Sequence, residues 1–214
     1  DVRQSAAAAL GWIKDKTATG ALIKALMDED KHVRRNAAEA LGWIRDMQAT
    51  EALTIALVGN VDQRKDPEAD VRQSAAVALG LIKDKTATGA LIKALMDEDK
   101  HVRRNAAEAL GWIRDMQATE ALTIALVGNV DQRKDPEADV RQSAAVALGW
   151  IKDKTATGAL IKALMDEDKH VRRNAAEALG WIRDMQATEA LTIALVGNVD
   201  QRKDPEADVR QSAA

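Results

Sequence analysis

The chain is a 69-residue sequence written three times. Asp1–Ala69, Asp70–Ala138 and Asp139–Ala207 align without a gap, and Asp208–Ala214 begin a fourth copy. Only two positions differ among the copies: Ala8/Val77/Val146 and Trp12/Leu81/Trp150. A fixed period of tens of residues constrains the fold more than any single motif does. Each unit must then meet the same neighbours as the next, which is the arrangement of a stacked, solenoidal array. Residues 1–214 are read as one such array.

Each copy divides again. Shifted by 31 residues, Asp1-Val-Arg-Gln-Ser-Ala-Ala-Ala-Ala-Leu-Gly-Trp-Ile falls on His32-Val-Arg-Arg-Asn-Ala-Ala-Glu-Ala-Leu-Gly-Trp-Ile. The elementary motif is therefore about 31 residues long, and alternate copies carry seven more before the next begins. Within a motif the apolar spacing is helical: Val2, Ala6, Ala9, Leu10 and Ile13 share one face. Asp15 then caps a predicted second helix through Met27, with Ala18, Ala21, Leu22, Ala25 and Leu26 inward. In the even motif Asp46 caps Met47–Val58, with Ala49, Ala52, Leu53, Ala56 and Leu57 inward, and Asp30 caps the helix between. The longer connection is Gly59–Lys65. Gly59 reads as the residue just past a helix end, and Asp66-Pro67 as an N-cap followed by proline in the first turn.

Phe, Tyr and Cys are absent and all five aromatics are Trp, so Ala, Leu, Ile and Val must do nearly all the packing. That suits helices that approach closely. With both charge signs interspersed and a net charge of −3, there is no basic stripe for nucleic acid. No apolar run is long enough to span a membrane, and the lack of cysteine excludes disulfides and thiolate metal sites. The expected location is cytoplasmic.

The pattern Val-Arg-x-x-Ala-Ala-x-Ala-Leu-Gly-x-Ile, then Asp, then Ala-x-x-x-Leu-x-x-x-Leu resembles HEAT-like repeats of the bilin-lyase type, and artificial consensus repeats built from them. It covers Val2–Leu26, Val33–Leu57, Val71–Leu95, Val102–Leu126, Val140–Leu164 and Val171–Leu195. The resemblance implies an all-α fold, a right-handed α-solenoid of stacked helix pairs. In it the first helix of each pair lies on the convex side and the second lines the concave side. It also implies that Arg3, Arg34 and their copies bond the preceding acidic loop or its carbonyls. Two departures stand out: Lys14 and Arg45 occupy a place where the family often has Gly, and the seven-residue loop extension is unusual.

Catalytic constellations are missing from the sequence. His32, His101 and His170 fall one per copy, roughly 20 Å apart if each layer adds ~10 Å, too far to share a metal or a proton. Asp62, Asp66, Glu68 and Asp70 cluster in each long loop, yet Arg64 and Lys65 sit among them and the spacing matches no calcium loop. Salt-bridged loop ends are the better reading. We expect no enzyme, no metal and no cofactor.

Two surfaces are candidates for a protein or peptide partner. One is the row Trp12, Trp43, Leu81, Trp112, Trp150 and Trp181, which either packs against adjacent helices or offers a ladder of sticky contact area. Packing is favoured, because a long exposed apolar row invites aggregation. The two variable positions are neighbours on that stripe, which fits a recognition surface and coordinated repacking equally well. The other surface is the outward face of the second helices: Thr19, Ile23, Lys24 and Met27, and Thr50, Thr54, Ile55 and Val58, with Ile124, Val127, Ile193 and Val196 as copies. The array starts and stops inside a motif without a polar cap. The expectation is flanking motifs or head-to-tail self-association into filaments. A scaffold for protein binding is the leading reading, a self-stacking filament the second, and a bilin-lyase-like subunit the third.

Overall fold

A computed structural model describes residues 2–197 and 203–214. Asp1, and Asp200 of the third acidic loop cluster, lie outside the described residues. All regular structure among the described residues is helical. The chain forms two compact units, Asp1–Ile113 and Arg114–Ala214. The first contains α1 (Val2–Ile13), α2 (Thr19–Ala25), α3 (Lys31–Ile44), α4 (Thr50–Val58), α5 (Ala69–Ile82), α6 (Thr88–Ala94) and α7 (Lys100–Ile113). The second contains α8 (Thr119–Val127), α9 (Ala138–Ile151), α10 (Thr157–Ala163), α11 (Lys169–Ile182), α12 (Thr188–Val196) and α13 (Ala207–Ala213). No helix among the described residues is long and apolar enough to cross a membrane.

The units share one packing scheme, that of an all-α solenoid. In the first, α1, α3, α5 and α7 lie side by side as a row, and α2, α4 and α6 each pack on the first helix of the following motif. In the second, α9, α11 and α13 form the row, with α8, α10 and α12 packed on α9, α11 and α13 in turn. Interior helices bury what the spacing predicts. In α5, Val71, Ala75, Ala78, Leu79 and Ile82 are buried, together with Ala76 and Gly80 on the flank that meets α7. A wholly buried leucine such as Leu79 contributes about 2 kcal/mol. The corresponding sequence in α1, which differs only at Ala8 and Trp12, behaves differently: only Ala7 and Gly11 are buried, and Val2 and Ile13 are 84% and 68% exposed. In α5 that face lies under α4, and no described helix holds that place over α1.

Several boundaries depart from expectation. Asp15 does cap, accepting from the Thr17 amide at 2.9 Å, but it caps a 3-10 turn, Lys16–Ala18, before α2 begins. The far end also tightens: Met27 and Asp28 donate to carbonyls three residues back, so α2 ends at Ala25 rather than Met27. Ala21 is exposed, not inward, whereas its copies Ala90 and Ala159 are buried. First helices end on Lys14, Arg45, Lys83, Arg114, Lys152 and Arg183, all with φ between 55° and 61°. This is the left-handed region that normally calls for glycine.

Asp66 is not the helix N-cap. The capping position belongs to Glu68, whose side chain makes no cap bond and meets Lys31 at 3.3 Å instead. The Asp66 amide donates to the Ala56 carbonyl at 2.9 Å, and its carboxylate accepts from the Glu68 amide and from Arg34.

Candidate binding groove

Arginine side chains tie successive loops together and so set where the second helices sit. Arg34 on α3 donates from Nη1 to the carbonyls of Asp28 and Glu29 in the loop before it. From Nε and Nη2 it makes a bidentate pair with Asp66 in the loop after α4, at 2.6 and 3.1 Å. Arg72 repeats this with the carbonyls of Asp66 and Pro67 and the carboxylate of Asp97, and Arg141 with Asp135, Pro136 and Asp166. Arg72 and Arg141 are almost wholly buried. The bonds to the preceding loop are those the resemblance implies; the carboxylate partner comes instead from the following loop. Burial alone would raise the Asp97 carboxyl pKa, but hydrogen bonds from Arg72, the Asp99 amide and Lys65 outweigh it and hold the group below the usual range.

A second link runs between consecutive second helices. Thr19 and Thr50, expected to face outward, are buried instead. Their hydroxyls donate to the capping carboxylates of the next motif, Asp46 and Asp84, each at 2.9 Å. Thr157 does the same to Asp184.

On this frame the seven-residue extension folds back over α4. Gly59 takes φ +71°, and a β-carbon there would lie 2.6 Å from the Gln63 carbonyl oxygen and 2.7 Å from the Lys65 nitrogen. Asn60 closes the turn, its Oδ1 accepting from the amides of Asp62 and Gln63. Lys65 then reaches Asp97 at 2.9 Å and Glu98 beyond it. Burial works against its charge, but these two carboxylates raise its pKa overall.

The folded loop becomes a wall. Between it and α2 and α4 lies an apolar groove of about 670 Å³, floored by Ile23, Leu26, Ala52, Ile55 and Ala56. Met27 and Arg64 stand at its edge. The second unit contains the counterpart 138 residues on, of about the same volume, lined by Ile161, Leu164, Ala190, Ile193 and Pro205. Both fall inside the ~300–1,000 Å³ range of ligand and peptide sites.

Of the expected outward strip, Ile55 and Ile193 line these grooves. Ile124, Val58 and Val127 are half-buried, and Val196 is 63% exposed. The wall residues Gln63, Arg64, Lys65 and Pro67 were not anticipated. Their one signal in the sequence is the seven-residue extension itself. The acids of this loop do not converge: Asp66 is buried against Arg34, Glu68 meets Lys31 at 3.3 Å, and Asp62 and Asp70 are exposed. His32, His101 and His170 stand at helix starts without convergent ligands; no metal-holding group of three occurs among the described residues.

The tryptophan row lies on the first helices, apart from the grooves. Trp43 crosses Gly11, Trp112 crosses Gly80, and Trp181 crosses Gly149. Trp112 and Trp150 are half-buried, Trp43 and Trp181 are 37% exposed, and Trp12 is 72% exposed. Where Leu81 takes the indole's place over Gly42, a cleft of about 310 Å³ opens beside Trp43 and Val77.

Layered helix pairs with the same groove at positions 138 residues apart define a repeat protein of the α-solenoid class. The chain belongs to the HEAT-repeat family, whose pattern matches residues 1–65, 59–134 and 130–214. It is similar to a chain of the CpcE–CpcF complex of phycocyanin lyase from Nostoc sp. PCC7120. That chain is 29% identical at a TM-score of 0.59, covering 98% of this chain and 86% of the other. An engineered protein is 23% identical at 0.59, covering 91% and 93%. An archaeal HEAT-like repeats protein from Thermococcus onnurineus NA1 is 16% identical at 0.62, covering 98% and 89%. No curated protein sequence matches the chain.

Proposed function

We propose that the chain is a single repeat array serving as a non-catalytic scaffold that binds a protein or peptide through the second-helix grooves. The observation that carries this reading is the recurrence of one groove, Ile23 with Ile55 and Ile161 with Ile193, at equivalent positions. A repeated apolar groove beside a folded-back loop suits anchor side chains of a peptide partner. The tryptophans contribute less, since four of the five are at least half covered or lie across neighbouring helices. A display selection of peptides on the immobilised chain tests it. Enriched peptides should lose binding to a variant carrying Ile55→Asp and Ile193→Asp. Retained binding by that folded variant, with loss in a variant of the tryptophans, would move the site to the first helices.

A lyase-subunit role is the second reading. It draws on the 29% likeness to a phycocyanin lyase chain. Added bilin that leaves the absorbance spectrum unchanged removes it.

A further inference from the structure

We infer that the groove partner is an acidic peptide with an aliphatic face, selected by the loop wall rather than by the helices; this rests on the groove reading above. The charged lining of the first groove is three cations, Arg34, Arg64 and Lys65, against one carboxylate, Asp66; in the second, among the described residues, Arg172 and Lys203 stand with Asp166 and Asp204, both carboxylates being taken by arginines, Arg141 and Arg172. Arg34 is consumed by Asp66, and Lys65 is drawn to Asp97 and Glu98. Arg64 is left exposed on the wall, in no ion pair among the described residues. A carboxylate flanking an aliphatic anchor would meet that guanidinium, while a basic flank would meet like charge.

The edge supports an aliphatic anchor. Met27 and Met165 border the two grooves and are 71% and 76% exposed. A flexible thioether placed at an open edge can fold over apolar side chains of differing shape. The wall itself is fixed, by Gly59, Asn60 and the bond from the Asp66 amide to Ala56. Arg64 therefore approaches the partner from a held backbone.

The test is a fluorescence titration of the full chain with three short labelled helical peptides: Leu on one face with Glu elsewhere, Leu with Lys elsewhere, and Ala in place of Leu with Glu elsewhere. The Leu/Glu peptide should bind at least about ten-fold more tightly than either other. Changing Arg64→Glu with its sequence copies Arg133→Glu and Arg202→Glu should reverse the preference between Glu and Lys peptides, with the helical spectrum unchanged. Equal affinity for the Leu/Glu and Leu/Lys peptides overturns the inference. So does a display selection that enriches neutral or basic peptides through Ile55, although that result would leave the groove reading standing. Arg64-dependent binding of dodecanoate without binding of the Leu/Glu peptide would assign the site to a small amphiphile and overturn the peptide.

Discussion

Trp43 lies across Gly11 so closely that a β-carbon at Gly11 would stand 2.8 Å from the indole Cε3 and 2.8 Å from the Cα of Ala40. The same approach recurs at Gly80, where Ala109 Cα and Trp112 Cε3 would be 2.8 and 2.6 Å away. Backbone cannot yield as a side chain tip can, so the first helices are held at a separation only glycine permits. Gly20, Gly89 and Gly158 on the second helices, and Gly180 on α11, have nothing within 4 Å of that position.

Opposite signs should follow for one substitution. Gly11→Ala and Gly80→Ala should destabilise by roughly 1–3 kcal/mol through overpacking. Gly20→Ala and Gly180→Ala should stabilise by about 0.5–1 kcal/mol, the ordinary gain for alanine in a helix. Urea unfolding of the four variants measures this. Gly180 is the sharpest comparison, because its local sequence is that of Gly42 and Gly111.

Six lysines and arginines end the first helices in the left-handed conformation. That backbone costs a residue with a β-carbon about 1 kcal/mol relative to glycine. Changing Lys14, Arg45, Lys83, Arg114, Lys152 and Arg183 to Gly should therefore raise the melting temperature, each adding a part. An unchanged or lower melting temperature would mean that their side chains contribute more than the backbone costs.

The buried pairs Arg72–Asp97 and Arg141–Asp166 make stability depend on acid. Asp97 and Asp166 have pKa values below the ordinary range: burial pushes them up, and the arginine hydrogen bonds outweigh it. The unfolded chain, with Asp near ~3.9, takes up protons first as the pH falls. Their contribution is thus complete above about pH 5 and is lost as the pH drops through the folded values. Melting temperature should be level near neutrality and fall below about pH 4. Asp97→Asn should cost roughly 3–5 kcal/mol at neutral pH by leaving Arg72 underpaired, and should flatten the acid dependence.

Leu81 leaves the cleft beside Trp43, and the third copy already combines Trp150 with a valine at the neighbouring variable position. Leu81→Trp should fill the cleft and stabilise by about 1 kcal/mol. A loss of stability would show that Leu81 and Val77 are packed as a pair that an indole disrupts.

Much of the fold is legible in the residues. The spacing of Val71, Ala75, Ala78 and Leu79 fixes which side of α5 is covered, and Asp46 and Asp84 announce the turns they cap. What is not legible is environment. Trp12 and Trp43 sit in the same local sequence, yet one is largely exposed and the other lies on Gly11, since only a preceding layer can cover them. Asp66-Pro67 looks like a helix start until Arg34, 32 residues away, claims the carboxylate. The groove hid for a related reason. Its floor residues are ordinary helix residues, and its wall exists only because Gly59 and Asn60 turn the loop back onto α4.

The most direct measurement is a proton–nitrogen spectrum of the chain titrated with the Leu/Glu peptide, comparing the indole signals with the loop amides. Shifts at Arg64, Lys65 and the amides of Ile23 and Ile55, with the five tryptophan indole signals still, are the expected result. Movement of the indole signals while the loop and the isoleucine amides stay fixed would contradict a scaffold that binds through its second helices.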